Sequence, residues 1–209
     1  MARKPTVAPM GKAENAYHHG DLRAALIAAA RHVLETARPE EITLKSLALR
    51  LGVSQPAPYR HFANRDALLA AVAADGFERF RDSLVAARDE VRENEAFLQS
   101  CLAYLEFARA NRGVYRLMFA SQLLREAHNE ELDRAASAAF DFLLEGVAKT
   151  APPERVRAIA VWIWSTLHGL AMLEAEGLAG GPASTDVSPA DVVRQMMATL
   201  KGRSGGEPA

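Results

Sequence analysis

The 209-residue sequence contains one cysteine, Cys101, so no intramolecular disulfide can form, and no Cys/His spacing resembles a metal site. Such cysteine usage fits a reducing compartment, and a cytoplasmic location is the expectation. No stretch approaches about 18 consecutive apolar residues, and Met1-Ala2-Arg3-Lys4 leads into no apolar run, so neither membrane insertion nor secretion is expected. Alternating β-branched runs are absent, which argues against a sheet. A Gly-rich phosphate loop, a nucleophile elbow and paired carboxylates are missing as well, so neither an enzyme nor a bound cofactor is expected. Excess charge is also lacking: 25 basic against 26 acidic residues leave a net of -1, which on its face disfavours a nucleic-acid partner.

That near-neutral total hides two regions of opposite sign. Residues 1–65 hold ten Lys or Arg against five acids, a net of +5, and residues 66–209 hold 15 against 21, a net of -6. What is present is helical periodicity, with apolar residues recurring at three and four, and an all-α fold follows. Leu22, Ala25, Leu26, Ala29, Ala30, Val33 and Leu34 form the stripe of a first helix that Asp21 would cap, and Pro39 follows its end. Thr43 would cap a second, short helix with Leu44, Leu47, Ala48 and Leu51 inward, and Gly52 would end it. A third would begin at Pro56 with Gln55 as cap and run through Phe62, and Asn64 would cap the next. Pro58 would then lie inside the first turn, where unpaired N–H groups are normal, so an intact recognition helix is expected.

Longer helices follow at about 66–94, 95–111, 114–124, 128–150, 153–176 and 190–201. The Gly/Pro/Ser-rich stretch from Gly177 to Pro189 reads as a loop, and Ser188, Pro189 and Asp191 as a helix start. The expected organisation is a disordered arm (1–16), a helix-turn-helix domain (17–65), a larger helical ligand-binding and dimerisation domain (66–201), and a disordered tail (202–209). Leu51-Gly52-Val53-Ser54 would be the turn, with Val53 filling the angle between helices and Phe62 plugging the third helix onto the first. The third helix would enter the major groove of double-stranded DNA.

The segment from Thr43 to Leu69, with its Gly-Val-Ser turn, Tyr59-Arg60-His61-Phe62 and a basic residue opening the next helix, resembles the tetracycline-repressor (TetR) family of transcriptional regulators. The likeness covers about residues 18–70. It implies a homodimeric repressor on a palindromic operator, released by a small-molecule effector. Carried onto matching positions, it makes Thr43, Lys45, Tyr59, His61 and Arg65 phosphate contacts, and leaves base reading to Gln55, Pro56, Ala57 and Arg60. Gln pairs with adenine, Arg with guanine, and apolar groups with the thymine methyl. Pro58 stands where the family more often has an aliphatic residue, and Arg65 where Lys is commoner.

Trp164, His168 and Gly169 are similar to a Trp-x-x-x-His-Gly element of one TetR subgroup, and Asn111–Phe119 to its helix-breaking segment. The likeness implies dimerisation through the last two long helices, with Ile159, Ile163, Gly169, Leu170 and Val193 at the interface. Tyr104, Phe107, Tyr115, Phe119, Gln122, Trp164 and His168 are candidates to line an apolar, aromatic pocket, and plain core packing is the competing reading for each. Cys101 reads as a buried, inert thiol. His18-His19 read as groups near DNA, and Arg3, Lys4 and Lys12 as a solvated tail, with a minor-groove arm as the alternative. The alternative overall is a helical small-molecule sensor or dimerisation protein without DNA binding.

Overall fold

The computed structural model describes residues 22–119, 129–178 and 187–203. Among them are eight α-helices and no strand: α1 (Leu22–Leu34), α2 (Leu44–Leu51), α3 (Arg65–Asp89), α4 (Glu93–Ala110), α5 (Arg112–Phe119), α6 (Glu130–Ala148), α7 (Val156–Ala175) and α8 (Pro189–Arg203). Three short 3₁₀ turns join them, at Pro39–Glu41, Ala57–Arg60 and Pro153–Arg155. The expected arm, Asp21, His18-His19, Gln122 and most of the Gly177–Pro189 loop lie outside the described residues.

Local chemistry explains most boundaries. Thr43 Oγ1 accepts from the Ser46 N–H at 3.0 Å, while Ser46 Oγ accepts from the Thr43 N–H at 3.3 Å, a reciprocal cap on α2. Gly52 ends that helix with φ +68°, and the Val53 N–H reaches the Ala48 carbonyl at 3.0 Å, closing a left-handed cap that a Cβ would strain. Asn64 Oδ1 caps α3 through the Ala67 N–H at 2.8 Å. Ser188 and Asp191 cap α8 reciprocally, as their spacing predicts. That last helix runs to Arg203, past the position 202 at which a tail was expected to begin.

The recognition element departs from expectation. Instead of an α-helix from Pro56 capped by Gln55, the chain forms a four-residue 3₁₀ turn, Ala57–Arg60, whose cap position is Pro56. Tyr59 lies within the turn and His61 just beyond it. The cause is the proline pair. Neither Pro56 nor Pro58 has an N–H to donate, so the ladder is built from the tighter bonds Ala57 N–H to Ser54 carbonyl (3.0 Å) and Tyr59 N–H to Pro56 carbonyl (3.2 Å).

Helix α3 is the spine, packing against α1, α4, α5 and α6. Its 25 residues extend about 37 Å at 1.5 Å each. Leu68 through Ala74 are all buried, so this stretch is enclosed on every side, and four of the seven are alanine because neighbouring helices approach so closely. One core continues from Leu26 and Phe62 at the amino-terminal end to Leu167 and Met196. Helix α5 crosses between the two ends. At its start, Gly113 lies against α1 so tightly that a Cβ would sit 1.9 Å from the Leu34 carbonyl oxygen.

Candidate functional site

The first site is the 3₁₀ turn and its surroundings. Pro58 and Phe62 are buried, anchoring the turn on α1 and α2, and Arg23 of α1 stacks over the Phe62 ring at 5.6 Å. Anchoring at 58 and 62 leaves Tyr59, Arg60 and His61 outward, with Tyr59 56% exposed. Gln55 and Pro56 are exposed and Ala57 half-buried, so six of the nine expected DNA contacts fall in the stretch from Gln55 to His61, while exposed Thr43 and Lys45 lie at the start of α2, which packs against the turn. Arg65 is engaged with its neighbour Asp66 at 3.1 Å, an exposed pair weak enough to exchange for a phosphate. Rigid apolar anchors with outward polar groups suit a surface that must meet a groove in one register.

The second site is a cavity of about 450 Å³ bordered by α3, α4, α5, α6 and α7 and open to solvent along α7, where Arg157, Val161 and Trp164 are exposed. Of the expected lining residues, Tyr104, Phe119 and Trp164 reach it. Phe107 does not; it packs edge-on against Phe80 at 5.3 Å, filling core. Tyr115 and His168 stand behind the wall rather than on it. The sequence reading missed Phe97, Phe142 and Arg157, which lie on three different helices and share no local pattern. Cys101 also borders the cavity, and burial pushes its thiol up to about 12, so it is neutral and unreactive, as expected.

From Tyr104 on the wall, a hydrogen-bonded chain runs back through three helices. Tyr104 Oη of α4 meets Tyr115 Oη of α5 at 2.9 Å, and Tyr115 Oη meets His168 Nδ1 of α7 at 2.8 Å. Burial raises both tyrosine hydroxyls above their ordinary range, so they remain protonated donors. Burial also lowers the His168 imidazole. A neutral ring protonated at Nε2 lets Nδ1 accept from Tyr115, which in turn accepts from Tyr104.

A histidine whose folded pKa lies below its unfolded value holds fewer protons folded than unfolded, so stability is lost as pH falls from about 6.5 through the folded pKa. We expect the urea midpoint to drop between pH 7.5 and 5, and His168→Gln to remove part of that drop. An unchanged pH dependence in the variant would contradict this assignment.

The α7 and α8 surface differs from expectation. Ile163 and Val193 are fully buried inside the chain, so neither offers surface to a second copy. Ile159, Gly169 and Leu170 are partly exposed, and nothing lies within 4 Å of a Cβ built on Gly169. The exposed apolar groups of α7 are instead Val161, Trp162, Trp164 and Leu173, of which Val161 and Trp164 border the cavity, and a groove between α7 and α8 is bordered by Trp162, Val192 and Met196. Pro153–Ala175 proves long and apolar enough to cross a membrane by length and composition, which a search for unbroken apolar runs overlooks, and only 22% of its apolar window is buried.

Residues 26–72 match the family described as bacterial regulatory proteins, tetR family, and residues 97–200 match a tetracyclin repressor-like C-terminal domain. The chain is 39% identical over 94 residues to the tetracycline repressor protein class A from transposon 1721 of Escherichia coli, a match spanning 42% of this chain and 44% of that repressor. The chain therefore aligns with less than half the length of that curated relative. The structure of a protein with unknown function from Rhodococcus sp. RHA1 superposes with TM-score 0.72 at 32% identity, covering 91% of this chain and 97% of the other. A TetR variant from Acinetobacter baumannii, solved in complex with minocycline, shares the fold at TM-score 0.59 and 23% identity, over 88% and 98% of the two chains. Both the helix-turn-helix end and the cavity-bearing helices are matched, and the chain belongs to the tetR family of bacterial regulatory proteins.

Proposed function

We propose that the protein is a cytoplasmic transcriptional repressor that binds a palindromic operator as a homodimer and releases it when a small apolar or aromatic effector occupies the cavity. The observation that carries this reading is the exposed patch Gln55–His61, held by buried Pro58 and Phe62 at the basic end of the chain. Thr43, Lys45, Tyr59, His61 and Arg65 act on phosphates; Gln55, Pro56, Ala57 and Arg60 read base edges. The acidic remainder orients the basic end toward DNA. The Trp164, His168 and Gly169 element supports membership of the subgroup that carries it. In this reading the exposed apolar face of α7, with Ile159, Gly169, Leu170 and the newly identified Trp162, is covered by a second copy rather than by lipid. The Arg155, Arg157 and Thr166 side chains on the same segment favour that choice.

Operator half-sites would be centred one helical turn apart, about 34–36 Å, or a multiple of it. We expect Tyr59→Ala to weaken binding to all DNA sequences about equally, and Gln55→Ala to relax preference at one base position at a cost of about 1–3 kcal/mol. Selection of genomic fragments followed by salt-dependent gel shifts checks both. Failure to retard any fragment at low salt would leave a sensor without DNA binding, and equal losses on every sequence for both variants would refute the division of labour.

A further inference from the structure

One polar side chain at the cavity has no hydrogen-bond or ion-pair partner among the described residues. Arg157, the second residue of α7, borders the cavity on the same helical face as Val161, Trp164 and Leu167. Other polar groups on the lining are committed. Ser100 Oγ donates to the carbonyls of Ala96 and Leu84, at 3.1 and 3.2 Å. Tyr104 is tied to Tyr115, and the Cys101 thiol is neutral. Among the described residues no acid lines the cavity, and Arg157, exposed at its edge, makes neither an ion pair nor a hydrogen bond. A guanidinium at the mouth of an aromatic chamber is suited to pair bidentately with the carboxylate of a molecule whose body lies inside. The amino-terminal end of α7 adds positive potential at the same place.

We propose that the effector is a monoanionic aromatic acid whose ring system fills the apolar chamber and whose acid group pairs with the Arg157 guanidinium. This rests on the reading of the cavity as the effector site, and it names the class of effector. Size sets a further bound. At roughly 30 Å³ per water-sized group, 450 Å³ accommodates on the order of 15 heavy atoms, which is a two-ring acid. The apolar walls bind the body, and the arginine discriminates charge, because a neutral analogue gains nothing from it and a cation is repelled.

Calorimetric titration of the full-length protein at neutral pH with 2-naphthoate, its neutral isostere 2-acetylnaphthalene, and naphthalen-2-ylmethylammonium tests the assignment. The expected order is 2-naphthoate about tenfold tighter than the ketone, and the ammonium weakest. Arg157→Gln should bring 2-naphthoate down to the affinity of the ketone and leave the ketone unchanged, while Arg157→Lys keeps part of the preference. Equal affinities for acid and ketone in the unmodified protein, an equal loss of both in Arg157→Gln, or no binding of any probe would each overturn it. Gel shifts on the same preparations separate this from the repressor reading: an Arg157-dependent preference for 2-naphthoate in a protein that retards no DNA would sink the repressor alone.

Discussion

Gly113→Ala is expected to lower the unfolding free energy by about 3 kcal/mol, at the upper end of what overpacking costs. The added Cβ would sit 1.9 Å from the Leu34 carbonyl oxygen and 2.5 Å from its carbon, both backbone atoms at the end of α1. Carbon and carbonyl oxygen ordinarily approach no closer than about 3.3 Å, so one helix must retreat by more than an ångström. Neither helix is free to do so. Helix α5 is held by buried Val114, Tyr115, Leu117 and Met118, and α1 by Leu26, Ala30 and Leu34 in the same core. Urea denaturation of the purified variant reads the effect, and a midpoint shift worth less than about 0.5 kcal/mol would show that the seam is not tight. The position matters for function because α5 brings Phe119 to the cavity wall while its first turn rests on α1, which also supports the recognition turn. Under the proposed function, a variant that folds with α5 displaced should change the operator affinity measured with and without a bound probe.

Tyr115→Ala should cost about 4 kcal/mol, the range for removing a large buried aromatic. Its ring is only 2% exposed and packs against Tyr104, Phe119 and His168. Tyr115→Phe separates packing from hydrogen bonding. It keeps the ring but strips the Tyr104 hydroxyl and His168 Nδ1 of their shared partner. Half-buried His168 can turn to water and Tyr104 borders the cavity, so we expect only the net value of the hydrogen bonds, about 0.5–1.5 kcal/mol, to be lost in the phenylalanine variant. Equal losses for the two variants would mean that packing contributes little, and an unaffected Tyr115→Phe would mean that the chain of hydroxyls is incidental. Thermal and urea unfolding of both decide it.

The reach of sequence reading follows the range of the forces involved. Thr43, Gly52, Asn64 and Ser188 act on backbone groups within three or four residues, and each caps or ends a helix where its identity predicts. The break between α3 and α4 lies between Asp89 and Glu93 rather than at Asn94, where no strong cap marks it. The recognition element is a 3₁₀ turn because four residues with two prolines nearby never leave the first turn, where the α-ladder has not begun. Its outward residues were nonetheless identifiable, because buried Pro58 and Phe62 decide which side faces solvent.

Helical character, the capped helix-turn-helix and the basic charge of its segment are properties of neighbouring residues along the chain, and the amino-acid sequence by itself determined them. The assignment of α7's faces was decided only by tertiary packing. Ile163 and Trp162 are adjacent and both apolar, yet one is sealed against α7's neighbours and the other is 42% exposed, because each lies on a different side of a helix that is apolar nearly all round. Arg157 is one of 25 basic residues, and it borders the cavity because α3, α4 and α6 close the chamber beside the first turn of α7. Periodicity shows that a helix has an inside; which neighbour fills it, and which charge is left at the edge, depends on contacts between residues far apart in the chain.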